Sequence, residues 1–218
     1  MVMITVIDYK YGGNIFSVLN SLENLGIQTT LSSNPDEIKS AKKILFPGVG
    51  SFETAMNQIN NLGLSEIIKN KALDGTHFLG ICVGMQVLFS HGQESVNSTG
   101  CKGLEIIPGE IKKFSSKAPK IPHMGWNQIH FPPSNQSNPL FEGISDGDNL
   151  YFVHSYRAGV ENIPAIKNKF PKSSFSVTEF GDEFISAWWN GDKLFSCQFH
   201  PEKSGEKGLK ILQNFAYL

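Results

Sequence analysis

The hydrophobic positions of this chain change character near residue 103, and the change divides it into two halves. Residues 3–7 form a short, β-branched apolar run that ends at Asp8 and Gly12-Gly13, which predicts a strand running into a loop. Ile15, Val18, Leu19, Leu22 and Leu25 then recur at helical spacing until Gly26 stops the pattern. Ile27 to Leu31 reads as a second strand. Asn34-Pro35-Asp36-Glu37 supplies an N-cap, a first-turn proline and acids in the opening turn of a short helix.

Ile44-Leu45-Phe46 predicts a third strand. The glycine loop Pro47-Gly48-Val49-Gly50-Ser51 follows, then helical residues through about 73. Phe78 to Ile81 predicts a fourth strand, and a helix is expected from Gly84 towards Ser90. This alternation argues for βαβ units in an open, mostly parallel sheet flanked by helices. From about 103 to 200 the apolar runs are short, aromatic and broken by Pro, Asn, Gly and Ser. That pattern predicts additional mixed or antiparallel strands. A closing helix near 205–217 is expected to turn Leu209, Leu212 and Phe215 inward.

With 218 residues and no linker or repeat, residues 1–218 are expected to form a single α/β domain. The 19 basic and 20 acidic side chains balance to a net charge of −1, and Arg157 is the only arginine. A nucleic-acid partner is therefore not expected. The first apolar run is too short for a signal peptide or a membrane span, so a cytoplasmic location without membrane contact is the default. Cys82, Cys101 and Cys197 lie far apart without paired spacing, suggesting neither a disulfide framework nor a zinc ribbon. Nothing calls for a metal or a cofactor.

Candidate chemistry sits in three segments. In Gly80-Ile81-Cys82-Val83-Gly84-Met85-Gln86 a cysteine stands between two glycines at a strand-to-helix turn, as in a nucleophile elbow. The following helix would point its N-terminus at the sulfur and favour thiolate. The Val83 N–H would face a tetrahedral oxyanion. The other reading is a small buried cysteine at a tight turn. Later, Gln198-Phe199-His200-Pro201-Glu202-Lys203 follows an apolar strand. His200 can act as general base and then acid, with Glu202 orienting its ring. A lone histidine there would be an ordinary strand-end residue; the elbow cysteine and the His-Pro-Glu together are far more specific. Pro47-Gly48-Val49-Gly50 lacks the Gly-Lys-Ser/Thr ending of a P-loop and can offer backbone N–H groups to an oxyanion or a substrate.

In this order the three segments resemble the class I glutamine amidotransferases, whose cysteine, histidine and glutamate triad falls on Cys82, His200 and Glu202. Asp8-Tyr9 with Gly13-Asn14, Pro122-His123-Met124-Gly125-Trp126-Asn127 and Tyr151-Phe152-Val153-His154-Ser155-Tyr156 extend the likeness from residue 8 to 204. They narrow it to glutaminase subunits of imidazole glycerol phosphate synthases. The resemblance implies that the chain frees ammonia from glutamine for a (β/α)8-barrel synthase subunit, as a heterodimer in histidine biosynthesis. It implies an oxyanion site at Val49, Gly50 and Val83, and substrate contacts from Gly48, Gln86, Glu94, Ser155 and Tyr156. The partner face would include Asn14, His123, Met124, Trp126, Asn127 and Lys203.

Two departures fall near that face: an extra residue in Asp8-Tyr9-Lys10-Tyr11-Gly12-Gly13-Asn14, and Phe16 where an arginine is frequent. Paralogues that supply ammonia for sugar amidination in surface-polysaccharide synthesis share the triad. A non-catalytic module of the same fold and a self-sufficient cysteine peptidase are further alternatives. The complete triad weighs against the first of these, and Gln86 with the late His-Pro-Glu against the second.

Overall fold

The computed structural model describes residues 3–10, 15–96, 99–132 and 138–218. Strands β1 (Met3–Ile7), β2 (Gln28–Ser32), β3 (Lys43–Gly48) and β4 (His77–Cys82) alternate with helices α1 (Ile15–Asn24), α2 (Pro35–Ser40), α3 (Phe52–Asn61) and α4 (Ser65–Leu73). Behind the one-turn helix α5 (Val83–Gln86) come β5 (Phe89–Gly92), β6 (Cys101–Lys102), β7 (Ile107–Lys113), β8 (His123–Gln128), β9 (Asn149–His154) and β10 (Tyr156–Ala158). Helix α6 (Ile163–Lys169), strands β11 (Ser174–Phe180), β12 (Asp182–Trp189) and β13 (Leu194–Cys197), and helix α7 (Gly205–Tyr217) complete the chain.

The main sheet has the order β11-β12-β13-β4-β3-β1-β2. Its five strands from β13 to β2 are parallel, while β12 and β11 extend it antiparallel. Strands β3 and β4 are buried along almost their whole length, as parallel strands covered on both faces must be. Phe46, Phe78, Phe195, Phe199 and Phe215 lie in the common core with 0–1 % exposure. Each such side chain stabilises the fold by about 1.5–3 kcal/mol relative to exposure. The second half adds a four-stranded sheet, β10-β7-β5-β6, and an antiparallel ribbon, β8-β9.

Local signals explain most element ends. The Asn34 side chain accepts from the Asp36 N–H at 2.9 Å and caps α2. Gly26, at φ 70°, turns the chain out of α1.

Three expectations need correction. The helical stretch after Ser51 is two helices, separated at Leu62-Gly63-Leu64, where Gly63 adopts φ 66°. The helix expected from Gly84 to Ser90 lasts only from Val83 to Gln86. Residues 81–89 are all buried, so the segment has no polar face to keep a surface helix in register. The Leu104 N–H instead bonds the Val87 carbonyl, and the Ile106 and Ile107 N–H groups bond that of Leu88. These bonds draw the chain into β5. Finally, α7 buries Ile211, Leu212 and Phe215, while Leu209 is only half-buried.

Candidate active site

Strands β4 and β13 are parallel neighbours, with Ile81 in register with Cys197. Their C-terminal ends therefore deliver Cys82 and His200 to the same edge of the sheet, where open α/β folds place their sites. Cys82 takes φ 54°, ψ −113°, outside the regions that side chains favour. The strained turn leaves the buried Cys82 side chain on the wall of a cavity, as an elbow requires. Its support is glycine: a Cβ on Gly84 would run into the Phe46 carbonyl oxygen, and one on Gly48 would stand 2.7 Å from the Gly84 nitrogen.

The His200 Nδ1 lies 2.7 Å from the Glu202 Oε1, with both side chains buried. Pro201 opens the short 3-10 turn between them and fixes their relative placement. Burial by itself would push the His200 imidazole down. The nearby charge of Cys82, the hydrogen bond to Glu202 and the charge of Glu202 outweigh that and raise it to about 10. The charged form of the His200 imidazole is thereby favoured in its place beside Cys82 and Glu202. The backbone of His200 is also clamped, since its N–H donates to the Tyr151 carbonyl at 2.8 Å. Ser204 Oγ accepts from the Tyr151 N–H at 2.9 Å and donates to the His200 carbonyl at 2.7 Å.

A cavity of about 240 Å³ opens in front of the sulfur, lined by Val49, Gly50, Cys82, Val83, Gln86, Glu94, Ser155, Tyr156 and His200, among others. It is somewhat smaller than drug-sized pockets of about 300–1,000 Å³ and suits a molecule of amino-acid size. Burial raises the Glu94 carboxyl, against the lowering effect of the Phe52 N–H, which donates to Glu94 Oε2 at 2.9 Å. A cation entering the cavity would reverse that shift. Glu94 is thus a wall of the pocket rather than a solvated surface acid.

Gly48 does not line this cavity; it faces Tyr9 and Gly84 behind the triad. His123, expected on the partner face, is 2 % exposed. The cause is strand alternation: on β8, His123, Gly125 and Asn127 are the more buried positions while Met124 and Trp126, 57 % and 56 % exposed, turn out. Asn127 is half-buried. Lys203 is exposed, its Nζ 5.9 Å from the Tyr151 ring, which in turn meets Trp126 edge-on at 6.1 Å. Asn14 lies outside the described residues.

Sequence reasoning missed Gln198. Its Nε2 donates to Cys82 Sγ at 3.6 Å, and its Oε1 accepts from Gln86 Nε2 at 2.9 Å. Its place two residues before His200, directly after the strand beside the elbow, was the available signal. Among the described residues no group of three or more His, Cys, Asp or Glu is placed to hold a metal ion. None of their helices is long and apolar enough to cross a membrane.

Comparison with known proteins identifies the family. The family description "Glutamine amidotransferase class-I" matches residues 5–218. Proteins named imidazole glycerol phosphate synthase subunit HisH are similar over nearly the whole chain. The one from Dehalococcoides mccartyi is 44 % identical over 213 residues, 98 % of this chain and 96 % of that protein. The one from Methanosarcina acetivorans is 41 % identical over 216 residues, 99 % of this chain and 98 % of that protein. Among solved structures, a glutamine amidotransferase superposes with a TM-score of 0.68 at 14 % identity, covering 99 % of both chains. The glutaminase domain of CTPS from Trypanosoma brucei gives 0.66 at 15 %, covering 100 % of this chain and 94 % of that one. At those identities the structures speak for the fold alone. The chain belongs to the class I glutamine amidotransferase family and, within it, to the HisH-type subunits of imidazole glycerol phosphate synthase.

Proposed function

We propose that this chain hydrolyses glutamine on Cys82, His200 and Glu202 and hands the ammonia to a (β/α)8-barrel synthase subunit, with which it forms a cytoplasmic heterodimer. The observation that carries the reading is the buried His200–Glu202 pair at 2.7 Å beside Cys82, on a cavity that also contains Glu94. Cys82 Sγ attacks the side-chain amide carbon, and the carbonyl electrons move to oxygen. Val83, Val49 and Gly50 surround that oxyanion with backbone N–H groups. The carbon–nitrogen bond then breaks as His200 gives a proton to the departing nitrogen, releasing ammonia and leaving a γ-glutamyl thioester. Water, deprotonated by His200, attacks the thioester; glutamate leaves and the sulfur is restored. Glu202 holds the ring and its positive charge throughout.

Glu94 takes the α-ammonium of glutamine, and Ser155, Tyr156 and Gln86 complete the cavity, with Gly48 keeping the glycine loop close behind it. The exposed face made by Met124, Trp126 and Lys203 lies next to the triad, and the barrel subunit docks there. It uses the ammonia to make imidazole glycerol phosphate and aminoimidazole carboxamide ribotide. The test is to quench the assembled complex in acid during turnover of glutamine and weigh the chain. A γ-glutamyl adduct on Cys82 is expected. Steady release of ammonia with no adduct on that residue would overturn the assignment.

A further inference from the structure

Two histidines that the reaction does not use stand edge to edge inside the β8-β9 ribbon. His123 Nδ1 is 3.1 Å from His154 Nε2, and His154 Nδ1 is 2.8 Å from the Tyr156 carbonyl oxygen. The Asn127 Nδ2 lies 3.2 Å from His123 Nε2. A carbonyl oxygen only accepts, so His154 carries its proton on Nδ1. Burial pushes His154 down to about 3 and His123 to about 4, so both rings are neutral at pH 7. His154 Nε2 is then an acceptor, His123 must donate from Nδ1, and its own Nε2 must accept from Asn127. One carbonyl thereby sets the direction of three bonds.

The same carbonyl joins this run to the nucleophile. Gln86 Nε2 donates to the Tyr156 oxygen at 3.0 Å and to Gln198 Oε1 at 2.9 Å, and Gln198 Nε2 donates to Cys82 Sγ at 3.6 Å. Packing leaves the rings little freedom to choose other partners. His123 lies stacked between Phe152 and Phe180, with centroids 4.8 Å and 4.0 Å away, and Phe114 and Phe184 meet both histidines. At the outer end, Asn127 is also tied to the Glu179 carbonyl at 3.0 Å and the Gln128 N–H at 2.8 Å. It sits on the strand whose opposite face shows Met124 and Trp126 to solvent.

We propose that His123 and His154 are positioning residues for glutamine hydrolysis, linking the outer strand of the ribbon to Cys82 through the Tyr156 carbonyl, Gln86 and Gln198. The inference rests on the glutaminase reading given above. Moving the ribbon shifts the Tyr156 carbonyl, which belongs to the cavity wall, and with it the amide that faces the sulfur. A hydrogen-bonded path of this kind gives a partner seated on Met124 and Trp126 a physical route to the nucleophile.

The test has two parts, both on the full chain. Nitrogen-15 NMR of the imidazoles at neutral pH is expected to find His123 and His154 uncharged with the proton on Nδ1. In His154→Leu, which removes the acceptor that holds the His123 proton on Nδ1, His123 should lose that fixed tautomer. A proton on Nε2 of either ring in the native chain overturns the proposal, as does a His123 tautomer unaffected by His154→Leu. The second part compares His154→Leu with His154→Asn, assembled with the synthase subunit. The asparagine can place an amide N–H where Nδ1 stood. His154→Leu is expected to lower kcat/KM for glutamine about tenfold, the scale of one buried hydrogen bond, and His154→Asn to recover most of it. The two should melt at similar temperatures. Equal kcat/KM in the two variants would make His154 a packing residue only. An inactive native complex, by contrast, would strike the glutaminase reading and leave the tautomer result standing.

Discussion

The molecule contains two buried histidine sites that titrate in opposite directions. At the edge of the parallel sheet, His200 is raised to about 10, whereas in the ribbon His123 and His154 are lowered to about 4 and 3. Burial lowers all three alike. The difference is the company: Cys82 and Glu202 around His200, aromatic rings and neutral hydrogen-bonding groups around the other pair. A histidine built to move protons at neutral pH is kept charged by anions until the reaction takes its proton. A histidine built to hold a fixed hydrogen-bond direction is kept from charging at all.

The sharpest way to break the comparison is to remove the anion. Cys82→Ala is expected to abolish ammonia release, a loss on the order of 10⁴-fold or more for a triad nucleophile, without changing the fold. Free ammonia should still support the synthase reaction of the complex. The same variant is expected to bring the His200 imidazole down from about 10, because the thiolate is the largest of the influences that raise it. An NMR titration of that ring reads the shift, and an unmoved His200 would mean that its charge is set elsewhere. Glu202→Gln probes the second anion. It keeps the shape of the His200 partner and removes the charge, so kcat should fall by about 10²- to 10⁴-fold. His200→Ala should cost more, and the double variant little beyond that, since the triad acts as a unit. Additive losses in those rates would separate the two residues.

The ribbon histidines give the opposite signature, in stability rather than rate. Their folded values lie below the ordinary value of about 6.5, so between pH 6.5 and about 4 the unfolded chain binds more protons than the folded one. Their contribution is therefore complete above pH 6.5 and is lost as the pH falls towards 4 and then 3. For a histidine moved from 6.5 to about 4 the loss is on the order of 3 kcal/mol. His123→Phe, placed among Phe114, Phe152, Phe180 and Phe184, is expected to flatten the acid side of the melting-temperature profile. A profile as steep as that of the native chain would show that His123 titrates normally.

The two regions were not equally legible in sequence. The β1–β4 alternation, the elbow at Cys82 and the His200-Pro201-Glu202 run are local signals, each set by contiguous residues and by backbone rules that act over a few positions. The ribbon is a matter of pairing between segments about thirty residues apart in sequence: His123 opposes His154 in the β8-β9 register, and no short-range pattern reports that. The same limit hid Gln198, whose function depends on lying across the strand boundary from Cys82. The truncated helix after Val83 failed for a related reason. Its apolar residues looked helical in isolation, and the pairing of β5 with β7, 15 residues or more away, decided the matter.

The smallest effect tests the ribbon's two faces against each other. Trp126 and His123 are three residues apart on one strand, yet Trp126 is 56 % exposed and His123 is 2 % exposed. Trp126 touches the Tyr151 ring edge-on at 6.1 Å and has the Gly205 backbone nearby, so truncating it removes little that holds the free chain together. A tryptophan standing clear of the surface beside Met124 and Lys203 is instead suited to enter a pocket on a partner, where such anchors contribute about 2 kcal/mol or more. Trp126→Ala is therefore expected to weaken association with the synthase subunit by about thirtyfold, which is about 2 kcal/mol, while the melting temperature of the free chain stays nearly unchanged. Titration of the variant against the barrel subunit and a melt of the variant alone read the two quantities separately. Native-like affinity with a large fall in melting temperature would assign Trp126 to the core and move the docking face away from β8, which would also deprive the histidine path of its outer contact.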